Sequence, residues 1–328
     1  MKIPTSLSAP VMITWQLTYD CNLACLHCCT DSAPGRAMPG ELSREEALGL
    51  AAQIAKAGIP YAMICGGEPT IVPHFIEVAE ALGQAGVWLK IETNGQNLTP
   101  ETARSLARLP VRSIQVSLDG ATQGTYSRMR PGASLEKTLK ACALIRSSNL
   151  PLEVTFAPAK FNIKEAAAVI DLAVELGAFR FNTGALMRLG RARKLWERVA
   201  PRDEDYAPFR ELLDRKKREL AGRLEILADP FSIEEESASR LAAAASSGTM
   251  LVLPDGQVRL SGPIPFSVAD LRMVSLLEAW TAFQKAWTHP AVLSTLRRLA
   301  AGDPSRGADG TTLHLPDLPA PQEAGTAA

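Results

Sequence analysis

The chain has 328 residues, a length that suits one large domain or two smaller ones. Its 35 basic and 35 acidic residues give a formal net charge of zero, which argues against nucleic acid as the main partner because a phosphate backbone favours an excess of basic charge. No apolar run approaches the ~20 residues that span a bilayer, and the N-terminus lacks the long apolar region of a signal peptide, so we expect a cytoplasmic protein without a membrane partner.

The first half of the chain alternates predicted strands with predicted helices. The strands are predicted at 11–19, 61–65, 87–93, 112–118, 152–158 and 179–185, and the helices at 42–58, 72–86, 99–109, 134–148 and 162–176. The spacing of Ser43 and Glu46 predicts a capping box at the start of the first helix. This alternation predicts parallel strands joined by right-handed crossovers, in either an open doubly wound sheet or an incomplete barrel.

Beyond Gly190 the pattern changes. The chain then predicts, in order, a solvated helix over 191–221, a strand over 224–231, a hairpin over 249–261, and helices around 275–287 and 290–301. Arg188, Arg191 and Arg193 are accordingly expected on a solvated helix face rather than against an anionic substrate. From Gly302 onward the Gly-, Pro- and Ala-rich chain predicts a disordered tail.

Four of the six cysteines lie within ten residues, CNLACLHCCT (21–30). Cys21, Cys25 and Cys28 form C-x3-C-x2-C just past the first predicted strand, at the edge where α/β folds build their sites. Three thiolates on one loop suit three corners of an iron–sulfur cube and leave the fourth iron open. Zinc with a distant fourth ligand or with His27, and unligated thiols, are the alternatives, but zinc sites prefer paired C-x2-C units and no second pair exists here.

This cysteine spacing resembles the radical S-adenosylmethionine (SAM) superfamily, in which an aromatic residue usually occupies the position of His27. Further motifs follow in the order of that family across residues 11–193, namely CGGEPT (65–70), ETNG (92–95), SLDG (117–120), YSRMRPGAS (126–134) and LMRLGRA (186–192). The resemblance implies an α/β fold, a partial (β/α)6 barrel, with one [4Fe-4S] cluster on Cys21, Cys25 and Cys28. It further implies reductive cleavage of SAM to a 5′-deoxyadenosyl radical that abstracts hydrogen from a substrate, with a flavodoxin or ferredoxin as electron donor.

The resemblance also implies where SAM binds. The implied positions are His27, Gly66, Gly67, Glu68, Asn94, Ser117 and Arg130. The two glycines would admit the backbone close to the methionine moiety, and the glutamate would accept a hydrogen bond from its ammonium. Ser117 and Arg130 would hold the carboxylate, with Arg128 as the alternative guanidinium.

Catalytic residues are less well defined by the sequence. Cys65 and Asp119 are the candidates, Cys65 as a hydrogen-atom donor or, more commonly for such a residue, a small buried side chain. Asn94 and Asp119 sit at strand ends, where they would face ribose or substrate or would cap turns. Cys29 is expected to be a bystander and Cys142 a core residue. The polar residues that would line the pocket are Thr155, Asn182 and Thr183.

The C-terminal part resembles the SPASM or twitch extension of the family without its cysteines. No cysteine follows Cys142, and Ser261 falls about where a cysteine for an auxiliary cluster would stand. The expected organisation is a tail over 1–10, the barrel over 11–193, the degenerate extension over 194–301 and a disordered tail over 302–328. Lacking a second cluster to accept an electron, the enzyme is expected to reach a redox-neutral outcome.

The expected function is therefore a radical SAM enzyme of natural-product or cofactor biosynthesis. A maturase of ribosomal peptides or proteins is the alternative, and a non-catalytic iron–sulfur or zinc scaffold is a second one. The substrate is expected to be a small molecule or a peptide. The short segment before the first strand mildly favours a small substrate or a separate peptide-recognition partner.

Overall fold

One continuous sheet of eleven strands organises the chain in the computed structural model, which describes residues 7–243, 247–303 and 313–315. The strands are β1 (Met12–Gln16), β2 (Tyr61–Cys65), β3 (Trp88–Thr93), β4 (Val111–Ser117), β5 (Leu152–Phe156), β6 (Arg180–Thr183), β7 (Glu225–Leu227), β8 (Thr249–Val252), β9 (Gln257–Arg259), β10 (Phe266–Asp270) and β11 (Leu313–His314). They lie in the order β11-β10-β9-β8-β1-β2-β3-β4-β5-β6-β7. Strands β1 to β7 pair in parallel in chain order, so the predicted partial barrel is confirmed.

Helices follow the first six strands. The helices are α1 (Arg44–Lys56), α2 (Phe75–Gln84), α3 (Pro100–Leu106), α4 (Gln123–Met129), α5 (Leu135–Ser147), α6 (Ala166–Glu175), α7 (Gly190–Lys194), α8 (Trp196–Val199), α9 (Asp203–Glu219), α10 (Ile233–Ala243), α11 (Leu276–Ala286) and α12 (Pro290–Ala300). The predicted capping box on α1 is present, since Ser43 and Glu46 exchange backbone-to-side-chain hydrogen bonds of 2.8 and 3.2 Å. Within the described ranges no helix is both long and apolar enough to cross a membrane.

Several elements differ from the prediction. The single helix predicted over 191–221 is three helices, α7 to α9. It breaks at Leu195, whose backbone leaves the helical region, and again at Ala200, which is extended before Pro201 and cannot continue a helix. The short helix α4, the helix α10 and the strand β10 were not predicted. In the tail, Leu313 and His314 pair with β10, which contradicts disorder at those two residues. The rest of the prediction for residues 304–312 and 316–328, and for 1–6 of the N-terminal tail, lies outside the described residues.

The sheet does not stop where the barrel motifs end. Strand β8 pairs in parallel with β1, with Met12 opposite Thr249, and β7 pairs with β6, with Arg180 opposite Glu225. Beyond β8, strand β9 pairs antiparallel with β8, and β10 pairs antiparallel with β9. Residues beyond 193 therefore extend the barrel sheet at both of its edges.

Strands β3 to β6 carry two rows of polar residues on one face. In register across the strands, the first row is Glu92, Gln115, Glu153 and Arg180, and the second is Ser117, Thr155 and Asn182. The intervening residues Leu89, Ile91 and Val116 are buried on the opposite face, toward the helices. Parallel strands are usually apolar on both faces, so two polar rows are unusual. Because the other face packs against the helices, these rows lie on the face toward the interior of the barrel.

The first row is tied into a hydrogen-bonded network. The Lys90 ammonium donates to Gln115 Oε1 and to Glu153 Oε2, both at 2.9 Å. The Asn182 amide donates to the same two side chains, and Arg180 pairs with Glu153 at 3.2 Å. Burial opposes the charged form of Glu153, but the Lys90 charge together with hydrogen bonds from Lys90 and Asn182 holds the pKa of that carboxyl below its ordinary value.

Candidate functional site

A cavity of about 430 Å³ opens where the parallel strands end. Loops that follow β1 to β6 form its walls, together with residues 230–233 and 236 at the start of α10. Cys21, Cys25 and Cys28 line it, the first two buried and the third half-buried. The C-terminal edge of a barrel is where this architecture places its sites, and the volume suits a small ligand.

The three cysteines lie on one loop, residues 21–32, here called the cysteine loop. Its sulfurs face hydrogen-bond donors, with Leu23 N 3.4 Å from Cys21 Sγ and Ser32 N 3.2 Å from Cys28 Sγ. Arg130 Nη1 lies 3.4 Å from Cys25 Sγ. Burial raises the pKa of Cys21 to about 12 and also raises the pKa of Cys25, although Arg130 opposes the second shift. Iron binding would have to displace these protons, and the N–H donors would then stabilise the thiolates.

The donor set fits a cluster better than a single ion. Among the residues that the structure describes, no three His, Cys, Asp or Glu side chains converge as ligands of one metal ion. A cube has no such requirement, because each thiolate binds its own iron. Three sulfurs on one loop, N–H donors around them and an adjoining cavity therefore fit a [4Fe-4S] cluster with one open iron.

The two glycines after β2 are required by the protein backbone itself. Gly66 has φ of +133°, and a Cβ there would meet Thr18 O at 2.5 Å; a Cβ on Gly67 would meet Asp20 O at 1.9 Å. Gly67 N donates to Thr18 O at 2.7 Å. Both glycines line the cavity as predicted, but the close approach that excludes a side chain is to the segment that leads into the cysteine loop.

Glu68 is predicted to accept a hydrogen bond from the SAM ammonium. Its side chain is fully buried, and it is not among the residues that line the cavity. One oxygen accepts from the Thr93 hydroxyl at 2.7 Å and from Thr70, and the other accepts from Asn94 N at 2.7 Å. Burial raises the pKa of Glu68, and these donors oppose that shift. The side chain joins the loop after β2 to the loop after β3.

Arg130 reaches the cavity from the end of α4, and Asp119 holds it there. Arg130 Nε donates to Asp119 Oδ2 at 2.6 Å, and Nη2 lies 3.2 Å from His27 Nε2. Asp119 is fully buried, does not line the cavity, and also accepts from Ala157 N at 2.8 Å. Both carboxylate oxygens therefore bind the protein, and the contact with ribose or substrate stays a prediction. Burial lowers the pKa of His27 to about 4, so this ring is neutral at pH 7.

The two candidate arginines differ in their surroundings. Arg128 is exposed and stacks on Phe161, with 4.5 Å between the guanidinium carbon and the ring centre. Arg130 is 6% exposed and lines the cavity. Ser117 also lines it, and among the described residues its hydroxyl has no protein partner. Arg130 and Ser117 are thus the pair available to a carboxylate.

The remaining predicted residues divide between the cavity and the core. Asn94 lines the cavity, but its side chain caps a turn by accepting from Gln96 N at 2.9 Å. Cys65 lines the cavity and is 7% exposed, with its pKa raised by burial and by Glu92. Cys29 is exposed and also lines the cavity, whereas Cys142 is buried in α5. Thr155, Asn182 and Thr183 all line the cavity.

Sequence reasoning missed part of the wall. Glu92, at the end of β3, lines the cavity and accepts from Gln115 Nε2 at 3.0 Å. Burial raises its pKa and Lys90 opposes the shift. Its place in ETNG, at the end of a parallel strand, could have identified it. Residues 230–233 and Glu236 follow no motif, and only the fold brings them to the cavity.

Comparison with known proteins agrees with this geometry. Residues 15–173 match the model of the radical SAM superfamily. This part of the chain is a radical SAM domain. An AdoMet-dependent heme synthase from Methanosarcina barkeri is 36% identical over 201 residues, which cover 60% of this chain and 56% of that protein. The alignment thus spans little more than half of that relative.

Two further proteins are similar over more of the chain. The mycofactocin maturase MftC of Mycobacterium tuberculosis is 28% identical over 310 residues, 94% of this chain and 77% of that protein. SuiB of Streptococcus suis, solved with S-adenosylmethionine and also with the precursor peptide SuiA, has the same fold. With SAM bound it superposes with a TM-score of 0.69 at 15% identity, over 91% of this chain and 68% of that one.

Proposed function

We propose that the protein is a radical SAM enzyme that binds one [4Fe-4S] cluster through Cys21, Cys25 and Cys28 and acts in the maturation of a natural product or cofactor. The observation that carries this proposal is the cavity, which brings the three sulfurs together with Arg130 and Ser117. When bound, the cluster supplies the reductive cleavage of SAM that leads to hydrogen abstraction from carbon. A flavodoxin or ferredoxin is the proposed electron donor.

The residues of the chain bind and orient SAM in this proposal. Arg130, held by Asp119, presents its guanidinium to the SAM carboxylate, and Ser117 adds a hydroxyl. His27 lies beside Arg130 at the cavity wall, neutral and able to pack near the adenine. Glu68 acts as a positioning residue, since its oxygens already accept from Thr93 and Asn94.

The substrate is proposed to be a peptide precursor. The relative that covers 94% of the chain is named a maturase, and the superposed SuiB binds a precursor peptide. The wall beyond the SAM contacts is built from Glu92, Thr155 and residues 230–233, which supply both polar and apolar groups. A small metabolite is the competing substrate class, and incubation with candidate precursors followed by mass spectrometry distinguishes the two.

A redox-neutral outcome is proposed because residues 143–328 contain no cysteine for a second cluster. The loop after β9, where Ser261 stands, is closed instead by Arg259. Its guanidinium donates to Ile264 O at 2.8 Å and to Gly262 O at 3.0 Å. This arrangement supports an extension over 194–301 that resembles SPASM or twitch in shape and is held together without iron.

Anaerobic incubation of the reconstituted protein with dithionite and SAM tests the function. The expected product is 5′-deoxyadenosine, formed by the wild type and not by Cys25→Ala. A fully loaded cluster that yields no 5′-deoxyadenosine would contradict the enzyme and favour the non-catalytic scaffold.

A further inference from the structure

The segment after β6 contacts the cysteine loop directly, whereas the two glycines after β2 contact the residues that lead into it. Arg191, on α7, donates through Nη1 to Cys25 O at 2.8 Å and through Nη2 to Ser32 O at 2.8 Å and Asp31 O at 3.0 Å. Its backbone N–H donates to Cys28 O at 2.8 Å. One residue thus binds carbonyls along the whole second half of the cysteine loop, instead of lying on the solvated face that the sequence predicts.

The fit around Arg191 leaves little freedom. Its side chain is 15% exposed and also pairs with the Asp31 carboxylate at 3.1 Å. The preceding Gly190 has φ of +51°, and a Cβ there would lie 2.5 Å from both Cys28 O and Cys29 O. Only a glycine allows α7 to approach the loop closely enough for the arginine to reach it.

A planar guanidinium is suited to this task. It carries five N–H donors in a rigid fork and no acceptor, so it can bind several carbonyls at once without losing its charge. The guanidinium binds the carbonyl of Cys25, and the backbone N–H of Arg191 binds the carbonyl of Cys28, so two residues that carry proposed ligands are held. Fixing these carbonyls fixes where the two side chains start, and hence where their sulfurs lie.

We propose that Gly190 and Arg191 form a clamp that sets the ligand geometry of the cysteine loop, with Arg191 as a positioning residue for the cluster. This inference rests on the proposed cluster at Cys21, Cys25 and Cys28. It makes the end of β6, whose loop also lines the cavity at Leu186 and Met187, part of the cluster site.

The test compares Arg191→Met and Arg191→Lys with Lys194→Met after anaerobic reconstitution. Lys194 is the matched control, because it pairs with the same Asp31 at 2.7 Å but is 62% exposed. Within the described part of the chain its side chain donates no hydrogen bond to the backbone of Cys21, Cys25 or Cys28. The readouts are iron release to a chelator and the electron paramagnetic resonance spectrum of the reduced cluster, with and without SAM. Circular dichroism of the metal-free proteins checks folding.

Arg191→Met is expected to release iron about 10- to 100-fold faster, the usual cost of losing a group that supports metal ligands. Its spectrum should change in width or g-values, Arg191→Lys should recover part of both effects, and Lys194→Met should match the wild type. Should Arg191→Met fail to fold, Arg191→Lys decides by the same two readouts. Wild-type release rates and spectra in the folded arginine variants would overturn the clamp, whereas a wild type that binds no iron would overturn the proposed function instead.

Discussion

At the scale of single residues, Arg128 and Arg130 are the same amino acid two positions apart in very different surroundings. The sequence offers both as ligands of the SAM carboxylate, because composition and spacing do not reveal which way a side chain points. The structure buries Arg130 against Asp119 and leaves Arg128 stacked on Phe161. The two therefore form a natural pair of test and control.

Arg130→Met is expected to weaken SAM binding by about 10- to 100-fold, since it removes charge-assisted hydrogen bonds to a carboxylate. Arg128→Met should stay within about twofold of the wild type, as expected for a surface substitution. Equilibrium dialysis against labelled SAM measures both, with iron content checked because Arg130 contacts Cys25. Equal losses in the two variants would contradict the assignment.

Glu68 shows a role that the motif alone does not reveal. Glu68→Gln replaces an acceptor oxygen by an N–H₂ group among the Thr70, Thr93 and Asn94 donors. We expect the metal-free protein to lose about 2 kcal/mol of unfolding free energy, the scale of a buried hydrogen bond to a charged group. Urea denaturation measures this loss. Unchanged stability combined with weaker SAM binding would restore the direct contact with the ammonium.

At the scale of elements, the polar rows on β3 to β6 build the floor of the site. Lys90→Met removes the ammonium that bridges Gln115 and Glu153. Because Lys90 is 24% exposed, we expect a loss of about 2 kcal/mol, below the 3–5 kcal/mol typical of a fully buried pair. Lys140→Met, which breaks an exposed pair with Glu136, should cost under about 0.5 kcal/mol.

The same pair predicts a pH dependence. The folded-state pKa of Glu153 lies below its ordinary value, so its contribution to stability is present above about pH 4.3 and is lost as pH falls through the folded pKa. In Lys90→Met, the free energy of unfolding should therefore fall less steeply as the pH is lowered through this range. Urea midpoints of metal-free protein between pH 7 and pH 3 report it. If the stability of the wild type and of Lys90→Met fell equally steeply with decreasing pH, the Lys90–Glu153 pair would not be the cause of the loss.

The elements that sequence predicts well are those with a local signal. Helix α1 has its capping box, and the hairpin turns at Asp255-Gly256. The breaks in 191–221 and the helix α10 were missed, because charge and alanine content give no clear period there. Strand β11 was missed because two residues gain their pairing only from β10.

At the scale of the whole molecule, the order of motifs predicts the partial barrel and the position of the cavity. What it does not predict is how the cysteine loop is held, since that depends on contacts between loops distant in sequence. Gly67 is 46 residues from Cys21, and Arg191 is 166 residues from Cys25. Both sides of the loop are fixed only when the barrel brings β2 and β6 to the same edge.

The central claim is that this loop carries one cube and that the chain holds no other. Iron and acid-labile sulfide are measured per chain after anaerobic reconstitution. We expect about four irons in the wild type and a loss of cluster when Cys21, Cys25 and Cys28 are replaced by alanine. About eight irons, or zinc in place of iron, would contradict it.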